Sequence, residues 1–396
     1  MRLIHADLFN SEFQLEKDAT VVIEKDRIST IGEDLPILPA EEETMDMTGL
    51  TLYPGFIDLH IHGAVNEDVS DASVNGLSKI ADYLSSHGVT GFCATTMMIP
   101  KEKLSHVFMC CEVFCEQQLD GAKLLGVRME GPFLSPEKCG VQKTEYAVLP
   151  SVQYIRDVMK GIKNVKLSIV DVAPELSGFD LFAAEADKSI ILSIAHTAAS
   201  YEVTRKALSL GVHHATHLFN AMAPLGHHEP GPVGAILENE GVTCELICDG
   251  LHVHPALLKT VFKVLGEERA VVVSDAMRAA GMPDGEYDLG GTPVKVINGR
   301  TDFGNGRLAG STTNIHAEFV NLIKMGIPFA IALKACTINP ARVLGMDHLT
   351  GSLCQGKFAD IVAMDKDYNV RKVWVRGNLV FDGCTPACTE LRRNEG

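Results

Sequence analysis

The sequence lacks the usual signatures of covalent and redox catalysis. No G-x-S-x-G stretch offers a serine nucleophile on a strained elbow. There are eleven cysteines, yet none is spaced C-x-x-C, so neither a zinc knuckle nor a dithiol redox pair is indicated. Cys110, Cys111 and Cys115 fall in "FMCCEVFC" at helical apolar spacing and read as reduced, buried thiols. No apolar run is long enough to span a bilayer, and the opening Met1-Arg2-Leu3-Ile4-His5-Ala6-Asp7 meets an acid too early for a signal-peptide core. The expected compartment is therefore the cytoplasm. Positive charge is short: 35 Lys and Arg against 51 Asp and Glu give a net charge of −16, which argues against nucleic acid or an anionic membrane as partner and leaves a local anion site open. Solenoid repeats and low-complexity tracts are absent. "GNGRLAG" is glycine-rich but has neither the spacing nor the strand-to-helix setting of a dinucleotide fingerprint.

What is present is the composition of a folded globular chain, 46% hydrophobic and 22% charged over 396 residues, enough for one large α/β domain and a smaller companion. Between Pro54 and Ala276 a short aliphatic run, a polar or glycine-containing turn and a longer helical segment recur. Eight runs stand out: "GFIDLHIH", "GFCATT", "KLLGVRME", "VKLSIVDV", "IILSIAH", "HHATH", "TCELICD" and "AVVVSD". Near-continuous aliphatic runs suit parallel strands covered on both faces, and eight such units predict a (β/α)8 TIM barrel over residues 55–349. The two chain ends read as short strands broken by turns. Residues 1–54 and 350–384 are expected to pair into one small β-sandwich domain beside the barrel, with 385–396 as a frayed, charged tail.

The runs end in polar residues: His60 and His62, Glu130, Asp171, His196, His217, Asp249 and Asp275. In a barrel these ends meet on the face where active sites are built. Residues two apart on a strand share a face, so His60 and His62 project together; H-x-H alone fits a hydrogen-bonded pair as well as a chelating one. Glu130 ends an aliphatic strand, where a carboxylate needs a partner or a cation. Imidazole and carboxylate donors without thiolate suit zinc first, with iron(II) or manganese as alternatives, and such an ion makes hydrolysis feasible at neutral pH. His213 and His214 lie earlier on their strand and read as packing or supporting groups. His227 and His228 sit in a loop that can reach the barrel mouth, His252 is placed to meet a substrate, and His254 reads as structural.

In order along the chain, "PGFIDLHIHG", "MEGPFL", "APE", "AHT", "THLFNAM", "EPGPVGAI", "CDGLHVHP", "VVSDAM", "LAGST" and "NPARVLG" resemble the amidohydrolase superfamily and, within it, the family of N-acetylglucosamine-6-phosphate deacetylases. Several superfamily members bridge two metals with a carboxylated lysine from strand four; here that strand offers Asp171 and Pro174-Glu175 but no lysine, and Glu130 fits the deacetylase pattern instead. The resemblance implies hydrolysis of an amide C–N bond in amino sugar catabolism. It also implies one or two divalent ions per subunit, with Glu130, His196 and His217 holding the principal one. His60 and His62 would complete a second position that some members lack. Asp275, itself beside the metal, would be the general base, taking a proton from metal-bound water as hydroxide attacks the acetyl carbonyl and returning it to the departing amine. His252 would assist at the oxyanion. For the sugar phosphate it points to Val141, Gln142, Asn220, Ala221, His228, Asp249, Gly250, Leu251, His252, Leu308, Ala309 and Gly310. Where many relatives carry arginine, this chain has His228, generally a weaker and pH-dependent cation. A homodimer is implied, with His227 or His228 acting across it. Two other readings stand beside this one: the same chemistry on N-acetylgalactosamine 6-phosphate or another acylated amine, and a catalytically silent barrel kept for binding.

Overall fold

The computed structural model describes residues 1–32, 43–117 and 120–383; the tail expected at 385–396 lies outside them. All eight aliphatic runs form strands of one parallel sheet: Phe56–Ile61, Val89–Thr96, Lys123–Phe133, Leu167–Val172, Ile191–Ile194, His214–Ala215, Thr243–Leu246 and Ala270–Val272, paired in chain order. The ring closes where Ile61 and Ala276 form a parallel bridge, and there Asp275 N donates to His60 O and His62 N donates to Ala276 O, both at 2.8 Å. Every residue of the first, second and fourth strands is buried. Burial on both faces removes any need for polar alternation, which is why these strands read as unbroken aliphatic runs.

The connecting helices start at side-chain caps. Ser73, Ser151, Ser200 and Asn314 each accept a backbone N–H from the first turn of the helix they open, satisfying donors with no helical partner at about 1 kcal/mol per cap. Among the described residues no helix is long and apolar enough to cross a membrane.

Both chain ends contribute to a second, eight-stranded sheet. Its order is Asn378–Asp382, Val370–Val375, Ile361–Met364, Thr51–Pro54, Arg2–Phe9, Leu15–Glu24 and Arg27–Gly32, with Thr44–Asp46 also paired to Arg2–Phe9. The ends join where Thr51–Pro54 runs antiparallel to Ile361–Met364. This sheet has its own core, including Leu3, Leu8, Val21, Ile28, Leu52, Ile361 and Trp374.

One element has no counterpart among the aliphatic runs. Between the eighth barrel strand and the helix Ile315–Met325, the chain forms a three-stranded antiparallel sheet from Gly285–Leu289, Thr292–Ile297 and Arg300–Asp302. Thr301 Oγ1 donates to Gly310 O at 2.8 Å, and Arg278 Nε to Asp288 O at 3.0 Å. This strap places Leu289, Arg300 and the turn that follows at the barrel mouth.

Candidate metal centre

The strand ends bring six side chains to one place. His60 comes from the first strand, with His62 just beyond its end, and Glu130 from the third. His196, His217 and Asp275 lie just beyond the fifth, sixth and eighth. These last three hold positive φ, 42°, 27° and 47°, a conformation that non-glycine residues rarely adopt and that clusters at functional sites. The backbone turns there to direct each side chain over the mouth.

Glu130 Oε1 is 3.1 Å from both His196 Nε2 and His217 Nε2, which are 3.2 Å from each other. His60 Nε2 and His62 Nε2 are 3.3 Å apart, with Asp275 Oδ1 at 3.4 Å and 3.2 Å from them. In each trio the donor atoms all lie within 4.8 Å of one another, and all six residues are buried. Glu130 faces both trios, since its Oε1 is 3.5 Å from His60 Nε2 and its Oε2 is 3.2 Å from His62 Nε2.

Tautomers distinguish a cation site from a hydrogen-bond network. His62 Nδ1 lies 3.2 Å from Thr95 O and His196 Nδ1 lies 2.8 Å from Lys138 O. A carbonyl only accepts, so both Nδ1 atoms carry the proton and both Nε2 atoms present a bare lone pair. His60 Nδ1 faces the Glu245 carboxylate at 3.3 Å, to the same effect. Lone pairs this close repel each other unless positive charge lies between them, and an outer acceptor fixing the ring is the usual support of a metal-bound histidine. The protein alone answers with protons: burial opposes it, but Asp275 and Glu130 lift His62 well above the ordinary imidazole range. A divalent cation fits this donor set.

Beneath the trios the barrel interior is charged rather than aliphatic. Arg128, fully buried two residues before Glu130, donates from Nε and Nη2 to Asp171 at 3.0 and 2.9 Å and pairs through Nη1 with Glu245. Glu245 also accepts from His214 Nε2 at 2.9 Å. Burial would raise the Glu245 carboxyl, but Arg128, His214 and His60 hold it well below the usual range. Glu130 is held low in the same way by His60, His196 and His217 against its burial. Gln142 donates to Glu130 Oε2 at 2.6 Å and accepts from Met98 N at 2.7 Å, which fixes the carboxylate's rotation.

Above the trios opens a cavity of about 670 Å³. Val141, Gln142, Asn220, Ala221, His252, Leu308, Ala309 and Gly310 line it, as do His62, Glu130, His196, His217 and Asp275. His60 lies behind them, wholly buried. Asp249 does not line the cavity; its Oδ2 accepts from His252 Nδ1 at 2.8 Å and directs the other ring nitrogen outward. Gly250 (φ 79°) makes the turn between them, and Leu251 is exposed. His228 is exposed on its loop, its ring 4.0 Å from that of His227, away from the cavity lining. His214 is a supporting group through Glu245, and His254 caps the helix Pro255–Leu265 by accepting from Ala256 N. Asp171 is committed to Arg128 and lies outside both trios. Sequence reading passed over Glu245 and Arg128, although each interrupts an aliphatic run with a charge that a buried strand cannot hold unpaired.

The model of the Amidohydrolase family matches residues 51–380. The N-acetylglucosamine-6-phosphate deacetylase of Bacillus subtilis (strain 168) is 35% identical over 382 residues, 94% of this chain and 95% of that protein. The N-acetylgalactosamine-6-phosphate deacetylase of Escherichia coli O157:H7 is 34% identical over 330 residues, 83% of this chain and 87% of that protein. Among solved structures, a mutant N-acetyl-D-glucosamine-6-phosphate deacetylase from Mycobacterium smegmatis, in complex with N-acetyl-D-glucosamine-6-phosphate, superposes with a TM-score of 0.87. It is 30% identical, with 96% of this chain and 99% of that one covered.

Proposed function

The chain belongs to the amidohydrolase family, and from that premise we propose that it hydrolyses the N-acetyl group of N-acetyl-D-glucosamine 6-phosphate to D-glucosamine 6-phosphate and acetate. The observation that carries the reading is the convergence of imidazole lone pairs and two carboxylates at the floor of the cavity, one of which, Asp275, is free of any Lys or Arg partner among the described residues. Glu130, His196 and His217 would hold the principal ion, and His60, His62 and Asp275 a second. Zinc is the first choice, with iron or manganese as alternatives. The ion would polarise the amide carbonyl and acidify water.

The chain's own groups supply the rest. Burial would lift the Asp275 carboxyl, but the charge of His60 and the hydrogen bond from His62 keep it below its usual value, so it is ionised and ready to accept a proton. It takes that proton from the attacking water and delivers it to the leaving nitrogen as the C–N bond breaks. His252, its Nδ1 held by Asp249, presents Nε2 to the substrate. Asn220, Ala221 and Leu308 to Gly310 form the walls that orient the sugar. We read the protein as a cytoplasmic homodimer. Free cysteines throughout the described residues suit a reducing compartment, and exposed Leu225, on the loop with His227 and His228, suits self-association.

The test is acetate release by the metal-loaded protein from N-acetylglucosamine 6-phosphate, its galactosamine epimer and unphosphorylated N-acetylglucosamine. Preference for the galactosamine epimer would favour the second reading, which the E. coli relative motivates. Activity confined to the unphosphorylated sugar would refute both. Asp275→Asn is expected to lower kcat by about 10²–10⁴, the contribution of a positioned general base, while Glu130, His196 and His217 retain their ion. Full turnover in that variant would remove Asp275 from its role.

A further inference from the structure

The cavity holds two guanidinium groups that the resemblance does not assign. Arg300 and Arg307 both line it, on the strap and its turn. Arg300 Nη2 donates to Gly306 O at 2.8 Å. Arg307 Nε reaches Gly304 O at 3.4 Å, and its guanidinium carbon lies 4.4 Å from the centre of the Phe303 ring. Among the described residues neither arginine is ion-paired to a carboxylate. The nearest acid along the chain, Asp302, is already engaged by backbone donors, with Gly304 N at 2.6 Å from one oxygen and Gly306 N at 3.2 Å from the other. The turn is thus built to hold two cations at the mouth without neutralising them, in a protein whose net charge is −16.

Placement gives these charges a purpose, on the substrate reading given above. The N-acetyl group must sit on the cavity floor with Glu130, His196, His217 and Asp275. The acetamide and the 6-phosphate leave a hexose from different ring carbons, so the phosphate must lie away from that floor, toward the walls and the mouth. Arg307 directly precedes Leu308, Ala309 and Gly310, which line the cavity, and this segment is tied to the barrel by the Ala276–Ser311 bridge. Its position is therefore coupled to the site. His228, by contrast, is exposed and does not line the cavity. A guanidinium matches phosphate with paired donors and stays charged at every physiological pH, unlike an imidazole.

We propose that Arg307, assisted by Arg300, is the phosphate-recognition cation of this chain and supplies from within the subunit the charge that His228 does not. The test compares Arg307→Gln, Arg307→Lys and His228→Gln in the metal-loaded protein, on N-acetylglucosamine 6-phosphate and on the unphosphorylated sugar. Arg307→Gln is expected to raise KM for the phosphorylated sugar at least tenfold, with the loss confined to that substrate and partly restored by lysine. A KM within threefold of wild type, an equal loss on both sugars, or a larger effect from His228→Gln would overturn the proposal. Should the wild type release no acetate, the substrate reading fails but the cation assignment is still decided by calorimetry with glucosamine 6-phosphate as probe. Binding at least tenfold weaker in Arg307→Gln supports the assignment, and equal binding refutes it.

Discussion

Glu318 lies on the helix Ile315–Met325 with no exposed surface. Its Oε2 accepts from Cys248 N at 3.0 Å and its Oε1 has no protein partner. Burial, reinforced by the negative charge of Asp249, pushes its carboxyl well above the ordinary range. The sign follows directly. In the unfolded chain this glutamate ionises near pH 4.3, whereas the folded protein retains the proton. Above that pH the native state binds one more proton than the unfolded state, so stability falls as pH rises, until the folded carboxyl also ionises. The slope is about 1.4 kcal/mol per pH unit. Glu318→Gln keeps the shape and the acceptor for Cys248 N but cannot ionise. The variant should therefore gain on wild type as pH increases, and a change of 1.4 kcal/mol in a chain this large moves Tm by about 1–3 °C. The assay is thermal unfolding of both metal-saturated proteins at half-unit steps from pH 5.5 to 8.5, scored as the difference in Tm at each pH. Titrations common to both proteins, those at the metal ligands included, cancel in that difference. A constant difference across the range would show that Glu318 is ionised when folded and would refute the reasoning.

Two further perturbations address the supports of the metal centre. Glu245→Gln removes the carboxylate that fixes His60 and half-neutralises Arg128; metal affinity at the His60–His62–Asp275 position should fall about 10–100-fold, with a stability loss of about 3–5 kcal/mol from the broken buried pair. Metal titration and thermal unfolding read the two effects, and two equivalents bound with wild-type affinity would contradict the first. Gln142→Ala frees the Glu130 carboxylate and leaves Met98 N unpaired. Because Glu130 faces both trios, affinity should drop about 10-fold or more at both positions, whereas a contact made only to substrate would change KM and leave metal affinity alone.

How much of this was legible in the sequence depended on whether a residue declares its partner locally. The barrel did, because strands buried on both faces are aliphatic along most of their length, and all eight runs marked strands. The ligands did, because each polar residue stands where such a run stops. The strap was legible by a different sign that a search for aliphatic runs passes over. Gly290-Gly291 joins Leu289 to its partner Thr292, and Asn298-Gly299 joins Ile297 to its partner Arg300. All four turn residues have positive φ, the two-residue turn for which Asn-Gly and Gly-Gly are the favoured sequences. The roles of Gln142 and Asp249 were not legible. Each lies among residues that match a substrate-binding pattern, yet Gln142 bonds Glu130 and Asp249 bonds the His252 ring three residues on, and residue type alone does not distinguish a side chain that touches substrate from one that holds its neighbour.

The charged interior also bears on how many cations the site is built for. Around the centre, Glu130, Asp171, Glu245 and Asp275 are all buried, with Arg128 the buried guanidinium among them; Asp58, which accepts from His60 N, is buried as well, but burial pushes its carboxyl up to about 7, so it adds at most part of a charge at neutral pH. Four carboxylates against one guanidinium leave three negative charges in a region where water cannot screen them, and uncompensated charge there is costly. One divalent ion would leave a single negative charge facing a substrate that is itself an anion. Two leave a single positive charge, which a developing oxyanion or the substrate phosphate then meets favourably. A site for one ion alone has no need of coordinating side chains at His60 and His62, nor of Glu245 under the ring. Glu245, fully buried, ion-paired to Arg128 and turned toward His60 Nδ1, gives His60 the support that a second cation, if bound there, would require.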